Sequence, residues 1–135
     1  MSLILHVDDD TVMRNLVSGY LKDLGHDVVS AENGLEGMKL AEDIGPDLIL
    51  MDIDMPVLDG YAATQQLREK GYHGLIAAVT ASERVKDLAN AVVAGCDDFI
   101  PKPLGDDFPD LVKLILQRKD EIGKEELLTE DEFFD

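Results

Sequence analysis

The feature that most constrains the fold is a regular alternation of short apolar runs with longer amphipathic stretches. The runs carry apolar residues at consecutive positions, so both faces of each run are apolar, which is typical of central strands in a parallel sheet. The five predicted strands are Leu3–Val7, Asp27–Ser30, Leu48–Met51, Leu75–Val79 and Asp98–Ile100. Parallel strands need crossover connections, and the stretches between the runs are long enough to supply them.

The intervening stretches have apolar residues at three- and four-residue spacing, which predicts amphipathic helices. In the first of them these residues are Met13, Leu16, Val17, Tyr20, Leu21 and Leu24. Glycines at 25, 45, 71 and 95 follow the first four helices and are expected to supply left-handed caps. The sequence therefore predicts a doubly wound α/β domain in which five helices cover a five-stranded parallel sheet.

Composition narrows the functional classes. Twelve basic and 29 acidic residues give the 135-residue chain a net charge of −17, which repels phosphate backbones and argues against direct binding of nucleic acid. No apolar run approaches the roughly 20 residues of a membrane span, and the single cysteine, Cys96, fits a reducing compartment. We therefore expect a cytoplasmic protein.

The segment 119–135 is strongly acidic. The predicted division is a domain at 1–121 and an acidic tail or linker at 122–135.

Polar residues follow four of the five predicted strands. Asp8, Asp9 and Asp10 come after the first strand, Asp52 to Asp54 after the third, Thr80 after the fourth and Lys102 after the fifth. The carboxyl ends of parallel strands meet at one edge of the sheet, where such folds form their sites. Crowded carboxylates require a cation, and oxygen ligands without histidine or cysteine favour Mg²⁺. An aspartate beside Mg²⁺ and a lysine can act as a nucleophile on phosphorus and form an acyl phosphate.

With these motifs in this order, the chain resembles the receiver domain of bacterial two-component response regulators of the chemotaxis-regulator type. The resemblance covers residues 3–120 and rests on the segments 7–9, 50–56, 58–60, 79–81 and 99–103. It implies that Asp52 is the phosphoacceptor and that Asp8 and Asp9 hold Mg²⁺ together with Asp52 and the backbone carbonyl of Asp54. It also implies that Thr80 is a switch hydroxyl, that Lys102 contacts the phosphoryl group, and that Phe99 is an aromatic switch.

The resemblance further implies a flavodoxin-like fold with strand order 2-1-3-4-5, together with partners and an output. A sensor histidine kinase or a histidine phosphotransfer protein would donate the phosphoryl group. The surface of helix 4, strand 5 and helix 5 would then contact a downstream protein or a second copy of the chain. A cis peptide bond is implied between Lys102 and Pro103. Asp54 and Ser82 depart from the commonest pattern at positions that tune the lifetime of the phosphoryl group in the family.

Simpler interpretations apply to several of these residues. Asp10 is expected to cap the first helix, and Phe99 could be an ordinary strand aromatic. His6 is expected to be paired inside the sheet, Cys96 to be a small buried hydrophobe, and Asp97 and Asp98 to be solvated or capping.

Three other functions compete with the switch. A haloacid-dehalogenase-like phosphatase matches Asp52 and Asp54, but it expects Thr or Val where Pro56 stands. A flavodoxin-like electron carrier would need a phosphate-binding loop after strand 1, where three aspartates stand instead. A P-loop enzyme would need a Gly-rich motif with lysine, which the sequence lacks.

Overall fold

The computed structural model describes residues 2–55 and 57–118 and shows strands alternating with helices. The strands are β1 (Leu3–Val7), β2 (Asp27–Ala31), β3 (Leu48–Asp52), β4 (Leu75–Thr80) and β5 (Asp98–Pro101). The helices are α1 (Thr11–Asp23), α2 (Gly34–Ile44), α3 (Gly60–Glu69), α4 (Val85–Ala94) and α5, which covers residues 108–118 of the described chain. Pro56 and the predicted tail lie outside the described residues, so the boundary at 121 stays a prediction.

The five strands form one parallel sheet in the order β2-β1-β3-β4-β5, which confirms the predicted topology. In register, Val7 pairs with Met51 and Thr80 pairs with Pro101. The residues that follow β1, β3, β4 and β5 are therefore neighbours at the carboxyl edge of the sheet, although almost a hundred positions separate the first from the last.

Helices cover both faces of the sheet, as the alternation of strand side chains requires. On one face, Leu5, Ile49 and Met51 pack against residues of α2, α3 and α4, including Met38, Leu67 and Ala91. On the other face, Ile4 and Leu50 pack against α1 and α5 through residues such as Leu21, Phe108 and Val112. Cys96 is buried, as expected. Within the described ranges, none of the helices has both the length and the apolar character needed to cross a bilayer.

Polar caps and glycines set the ends of the helices. The Asp10 carboxylate accepts hydrogen bonds from the backbone N–H groups of Val12 and Met13, which confirms its role as the cap of α1. The four glycines expected after the first four helices have φ between 55° and 115°, the left-handed region that they were predicted to occupy.

An arginine ties together the amino edge of the sheet, opposite the predicted site. Arg68, near the end of α3, donates to the carbonyls of Tyr72, Gly74 and Gly95 and to the carboxylate of Asp97. The same Asp97 oxygen accepts the N–H of Ile76 at 2.9 Å. Asp97 is exposed, as expected, and its carboxylate in addition joins α3 to the starts of β4 and β5.

The loop from β3 to α3 closes tightly on itself. The N–H of Gly60 donates to the carbonyl of Ile53 at 3.0 Å, and a Cβ at position 60 would lie 2.2 Å from the carbonyl oxygen of Asp52. Glycine is therefore required where α3 begins. Within the loop, Val57 is 80% exposed and has a φ of 71°, which is an unfavourable conformation for a β-branched residue.

Candidate functional site

Three carboxylates meet at the carboxyl edge of the sheet. Asp8 follows β1 and Asp52 ends the adjacent β3, and one oxygen from each of Asp8, Asp9 and Asp52 lies within 4.8 Å of the others. Asp8 and Asp52 are almost completely buried, whereas Asp9 is exposed. The cluster therefore has two buried carboxylates at its base and one at its mouth, which leaves a route of entry from solvent.

A lysine completes the cluster from the opposite side. Lys102 follows β5, its backbone N–H donates to the carbonyl of Thr80 at 2.9 Å, and its ammonium donates to Oδ1 of Asp52 at 2.8 Å. The N–H of Asp54 also donates to Oδ1 of Asp52, at 3.3 Å. The bond between Lys102 and Pro103 is cis, as the resemblance implied.

The electrostatics of the two buried carboxyls differ. Burial raises the pKa of Asp52, and nearby Asp8 raises it further, so the net direction is upward although Lys102 and the Asp54 N–H oppose it. Burial also raises the pKa of Asp8, but His6, the Asp10 N–H and Lys102 together bring it below its ordinary value. Two adjacent carboxyls cannot both ionise without cost, and a divalent cation between them would remove that conflict.

One oxygen of the Asp8 carboxylate accepts a hydrogen bond and the other does not. Its Oδ1 accepts the N–H of Asp10 at 2.9 Å, whereas its buried Oδ2 has no hydrogen-bond partner in the described chain. The nearest basic group is Nε2 of His6, at 3.6 Å. Nδ1 of His6 is also unpaired among the described residues, so the expectation of a fully paired histidine is wrong. The orphaned oxygen beside two further carboxylates fits a hard cation such as Mg²⁺.

The two predicted switch residues line one cavity. It has a volume of about 180 Å³ and is lined by Thr80, Ser82, Glu83, Leu88, Phe99 and Pro101. Thr80 is buried and its Oγ1 accepts the N–H of Ser82 at 3.1 Å, while Phe99 is half-buried against the core. Space beside both side chains gives each of them room to change rotamer.

Most of the residues predicted from the sequence therefore meet at one edge. Asp8, Asp9, Asp52 and Lys102 form the cluster, and Thr80 lies beside it on the neighbouring strand end. The residue at position 54 is exposed and contacts Asp52 through its backbone N–H.

Sequence reasoning missed two contacts of Asp8. His6 approaches its carboxylate, and Arg14 donates to its carbonyl at 2.7 Å. The alternation of side chains along β1 could have placed His6 on the same face as Asp8. Nothing in the sequence singles out Arg14 from other helix-surface residues.

Comparison with known proteins gives consistent matches. Residues 4–116 match the family described as the response regulator receiver domain. The chain is 37% identical over 100 residues to the chemotaxis protein CheY of Halobacterium salinarum, covering 74% of this chain and 83% of that protein. It is 34% identical over 125 residues to the DNA-binding dual master transcriptional regulator RpaA of Synechocystis, covering 90% of this chain and 52% of that protein. The chain thus spans about half the length of that regulator.

A solved structure with similar geometry comes from a bacterial sensor kinase. The receiver domain of a sensor histidine kinase of Pseudomonas aeruginosa, crystallised with magnesium coordinated in its active site cleft, superposes with a TM-score of 0.76 at 34% identity. The match covers 87% of this chain and 95% of that domain. The likeness therefore extends over nearly the whole of that domain.

Proposed function

Because the chain belongs to the response regulator receiver domain family of two-component systems, we propose that it is a switch that accepts a phosphoryl group on Asp52. The observation that carries this proposal is the setting of the Asp52 carboxylate. It lies between the ammonium of Lys102, 2.8 Å away, and the carboxylates of Asp8 and Asp9. A nucleophile held between a fixed cation and a site for a second cation is suited to attack phosphorus.

The proposed transfer forms one bond and breaks one. A carboxylate oxygen of Asp52 attacks the phosphorus of a phosphohistidine, and the P–N bond breaks as the new P–O bond forms. The electron pair of the broken bond stays on the imidazole nitrogen of the donor. Lys102 remains beside the acceptor and offsets charge on the phosphoryl oxygens. Thr80 then turns its hydroxyl toward the new group, and Phe99 follows into the adjacent cavity.

Asp8, Asp9 and Asp52 would hold Mg²⁺ through side-chain oxygens, and Asp54 would contribute its backbone carbonyl. When bound, Mg²⁺ neutralises charge on the transferring phosphoryl group and helps to orient it. The unpaired Oδ2 of Asp8 supports this assignment, since a buried carboxylate oxygen without a partner is unfavourable unless a ligand completes it.

The donor surface is proposed to be α1. Its exposed side carries Val12, Leu16, Tyr20 and Leu24 at four-residue spacing, with exposed fractions of 44% to 74%. Residues at this spacing form one stripe along a helix. The stripe begins three positions after Asp9, so it leads away from the mouth of the cluster. It suits a helix of a sensor histidine kinase or a histidine phosphotransfer protein that brings a phosphohistidine to Asp52.

The output surface is proposed to be α4, β5 and α5. Phe99 belongs to β5 and lines the same cavity as Leu88 of α4, so a rotamer change there alters what this face presents. Through this surface the receiver would contact a downstream protein or a second copy of the chain.

The acidic domain is proposed to act in the cytoplasm and to make no direct contact with nucleic acid. We place the domain at 1–121 and a tail or linker at 122–135.

The phosphatase alternative receives no support from the family match or the relatives. That chemistry needs the second aspartate as an acid in the cleft, whereas Asp54 is exposed. Receiver domains are signalling domains, and we propose that this one assists its own modification without turning over a separate substrate.

The test uses the purified chain, Mg²⁺ and a small acyl-phosphate donor. We expect one acid-stable, base-labile phosphoryl group by intact-mass spectrometry, and its loss in Asp52→Asn. Asp10→Asn is the matched control, because it removes a neighbouring aspartate that caps α1. Circular dichroism of each variant establishes folding. Full modification of Asp52→Asn, or none of the wild-type chain, would overturn the proposal.

A further inference from the structure

A chain of hydrogen bonds joins Thr80 to the start of α4. The N–H of Ser82 donates to Oγ1 of Thr80 at 3.1 Å, and the hydroxyl of Ser82 donates to Oδ2 of Asp87 at 2.6 Å. Ser82 Oγ also accepts the N–H of Arg84 at 3.2 Å. Ser82 therefore holds the buried hydroxyl of Thr80 with its backbone and the first turn of α4 with its side chain.

The same hydroxyl supports the residue at which α4 begins. Arg84 occupies the cap position of α4, and its side chain makes no capping hydrogen bond. The N–H of Arg84 donates to the hydroxyl of Ser82, which is in turn fixed by Asp87 in the first turn. The carbonyl of Asp87 accepts the hydroxyl of Tyr61 at 3.0 Å, which attaches the same turn to α3. Asp87 is thus anchored by its helix and by a neighbouring helix.

The anchored Asp87 limits how Thr80 can move. If the Thr80 hydroxyl turns toward a group on Asp52, the N–H of Ser82 loses its acceptor. Ser82 must then shift to follow Thr80 or to find another partner, because an unpaired N–H at this half-buried position is unfavourable. Such a shift stretches the short hydroxyl–carboxylate bond to Asp87. The cavity beside Thr80 and Ser82 provides the space for this movement.

We propose that Ser82 and Asp87 form a latch that holds Thr80 in its resting position and slows the modification of Asp52. The inference rests on the proposed function, since it concerns the rate of that reaction. Ser82 and Asp87 are positioning residues: they act through Thr80 and do not touch the phosphoryl group. The latch opens when Thr80 turns, and phosphorylation is thereby coupled to the start of α4.

The experiment compares Ser82→Ala, Ser82→Thr, Asp87→Ala and the double variant Ser82→Ala/Asp87→Ala. The rate of phosphoryl incorporation from a small acyl phosphate is measured at saturating Mg²⁺. Each alanine variant should react about threefold to tenfold faster, the range that one hydrogen bond contributes. The double variant should be no faster than Ser82→Ala, because that substitution already removes the hydrogen bond to Asp87. Ser82→Thr keeps the hydroxyl and should restore the wild-type rate.

Nitrogen-15 NMR spectra supply a readout that general loosening does not mimic. In the resting Ser82→Ala protein, amide signals of residues 80–94 should move part of the way toward their positions in phosphorylated wild type. Lys86→Gln, which changes an exposed charge in the first turn of α4 outside the cavity, should leave the rate unchanged and shift only the amide signals next to it. Unaltered or slower modification of the alanine variants, or multiplied effects in the double variant, would overturn the latch while the proposed function stands. Absence of modification in wild type would overturn both.

Discussion

Replacing Arg68 with alanine should lower the free energy of unfolding of the domain more than replacing the exposed Lys70 does. The guanidinium donates through Nε to Gly95 at 3.0 Å, through Nη1 to Tyr72 and Gly74 at 2.9 and 2.8 Å, and through Nη2 to Asp97 at 2.9 Å. It also lies 5.8 Å from the centroid of the Tyr72 ring. One side chain therefore connects the end of α3 to the segments that lead into β4 and β5.

The expected loss follows from counting these bonds and discounting for exposure. Hydrogen bonds to charged groups contribute about 1.5–3 kcal/mol each when they are well buried. The Arg68 and Asp97 side chains are 23% and 35% exposed, so water replaces part of what is lost. We therefore take about 0.5–1 kcal/mol for each of the four bonds, which gives a loss of about 2–4 kcal/mol in the free energy of unfolding. Arg68→Lys should recover less than half, because an ammonium cannot reproduce the planar fork.

The assay is urea denaturation followed by far-UV circular dichroism, since the chain contains no tryptophan. With a slope of about 2 kcal/mol/M, the middle of the usual range for urea, the midpoint of Arg68→Ala should fall by about 1–2 M. Lys70→Ala is the matched control: its ammonium pairs with Glu42 at 3.2 Å, but these side chains are 57% and 43% exposed. That exposed pair should contribute less than about 0.5 kcal/mol. If Arg68→Ala and Lys70→Ala lost the same stability, the reasoning about this network would be wrong.

Three further predictions concern the carboxyl edge of the sheet and the loop between β3 and α3. Asp9→Asn should weaken Mg²⁺ binding about tenfold or more, as measured by isothermal titration calorimetry. Asp10→Asn should leave the affinity for Mg²⁺ nearly unchanged, because Asp10 caps α1. Equal losses of affinity in the two variants would contradict this assignment of the two aspartates. Asp54→Asn should change the rate of phosphoryl loss by less than about tenfold, since an exposed carboxylate is a poor general base, and a hundredfold slowing in a time course at matched Mg²⁺ would show otherwise. Val57→Asn should raise the free energy of unfolding by about 1 kcal/mol, because asparagine tolerates the positive φ better than valine does. Val57→Ala should raise it by less. Equal free energies of unfolding for the two variants in urea denaturation would show that backbone strain is not the cause.

The sequence was sufficient to predict which segments form strands and which form helices, because those signals are local. Apolar runs, helical periodicity and glycines act within a few residues, and β1 has the bounds predicted for it, Leu3–Val7. β2 to β5 each extend one residue further than predicted. At the ends of β3 and β4 these residues are Asp52 and Thr80, which the sequence had placed just after the strands. Polar residues end an apolar run in the sequence, but backbone pairing can continue through them.

The cluster of aspartates and lysine was predictable because topology alone brings strand ends together. The contacts made by Arg68, by the Ser82 hydroxyl and by His6 were not, since they depend on which way a side chain points between two packed elements. Arg68 resembles any basic residue in the last turn of a helix, and Asp97 resembles any solvated aspartate. Their pairing becomes visible only when α3 and β5 are set side by side.

The closure of the β3–α3 loop has a consequence for how this edge of the sheet can be altered. The base of the loop is held by the hydrogen bond from the N–H of Gly60 to the carbonyl of Ile53, next to Asp52. Doubling the length of a flexible loop costs only about 0.6 kcal/mol, so inserted residues near Val57 would bulge outward and leave the base in place. A methyl group at position 60 would instead press on the Asp52 carbonyl from 2.2 Å. The β3–α3 loop can therefore accept insertions near Val57, including ones that recognise new partners, whereas position 60 must remain glycine.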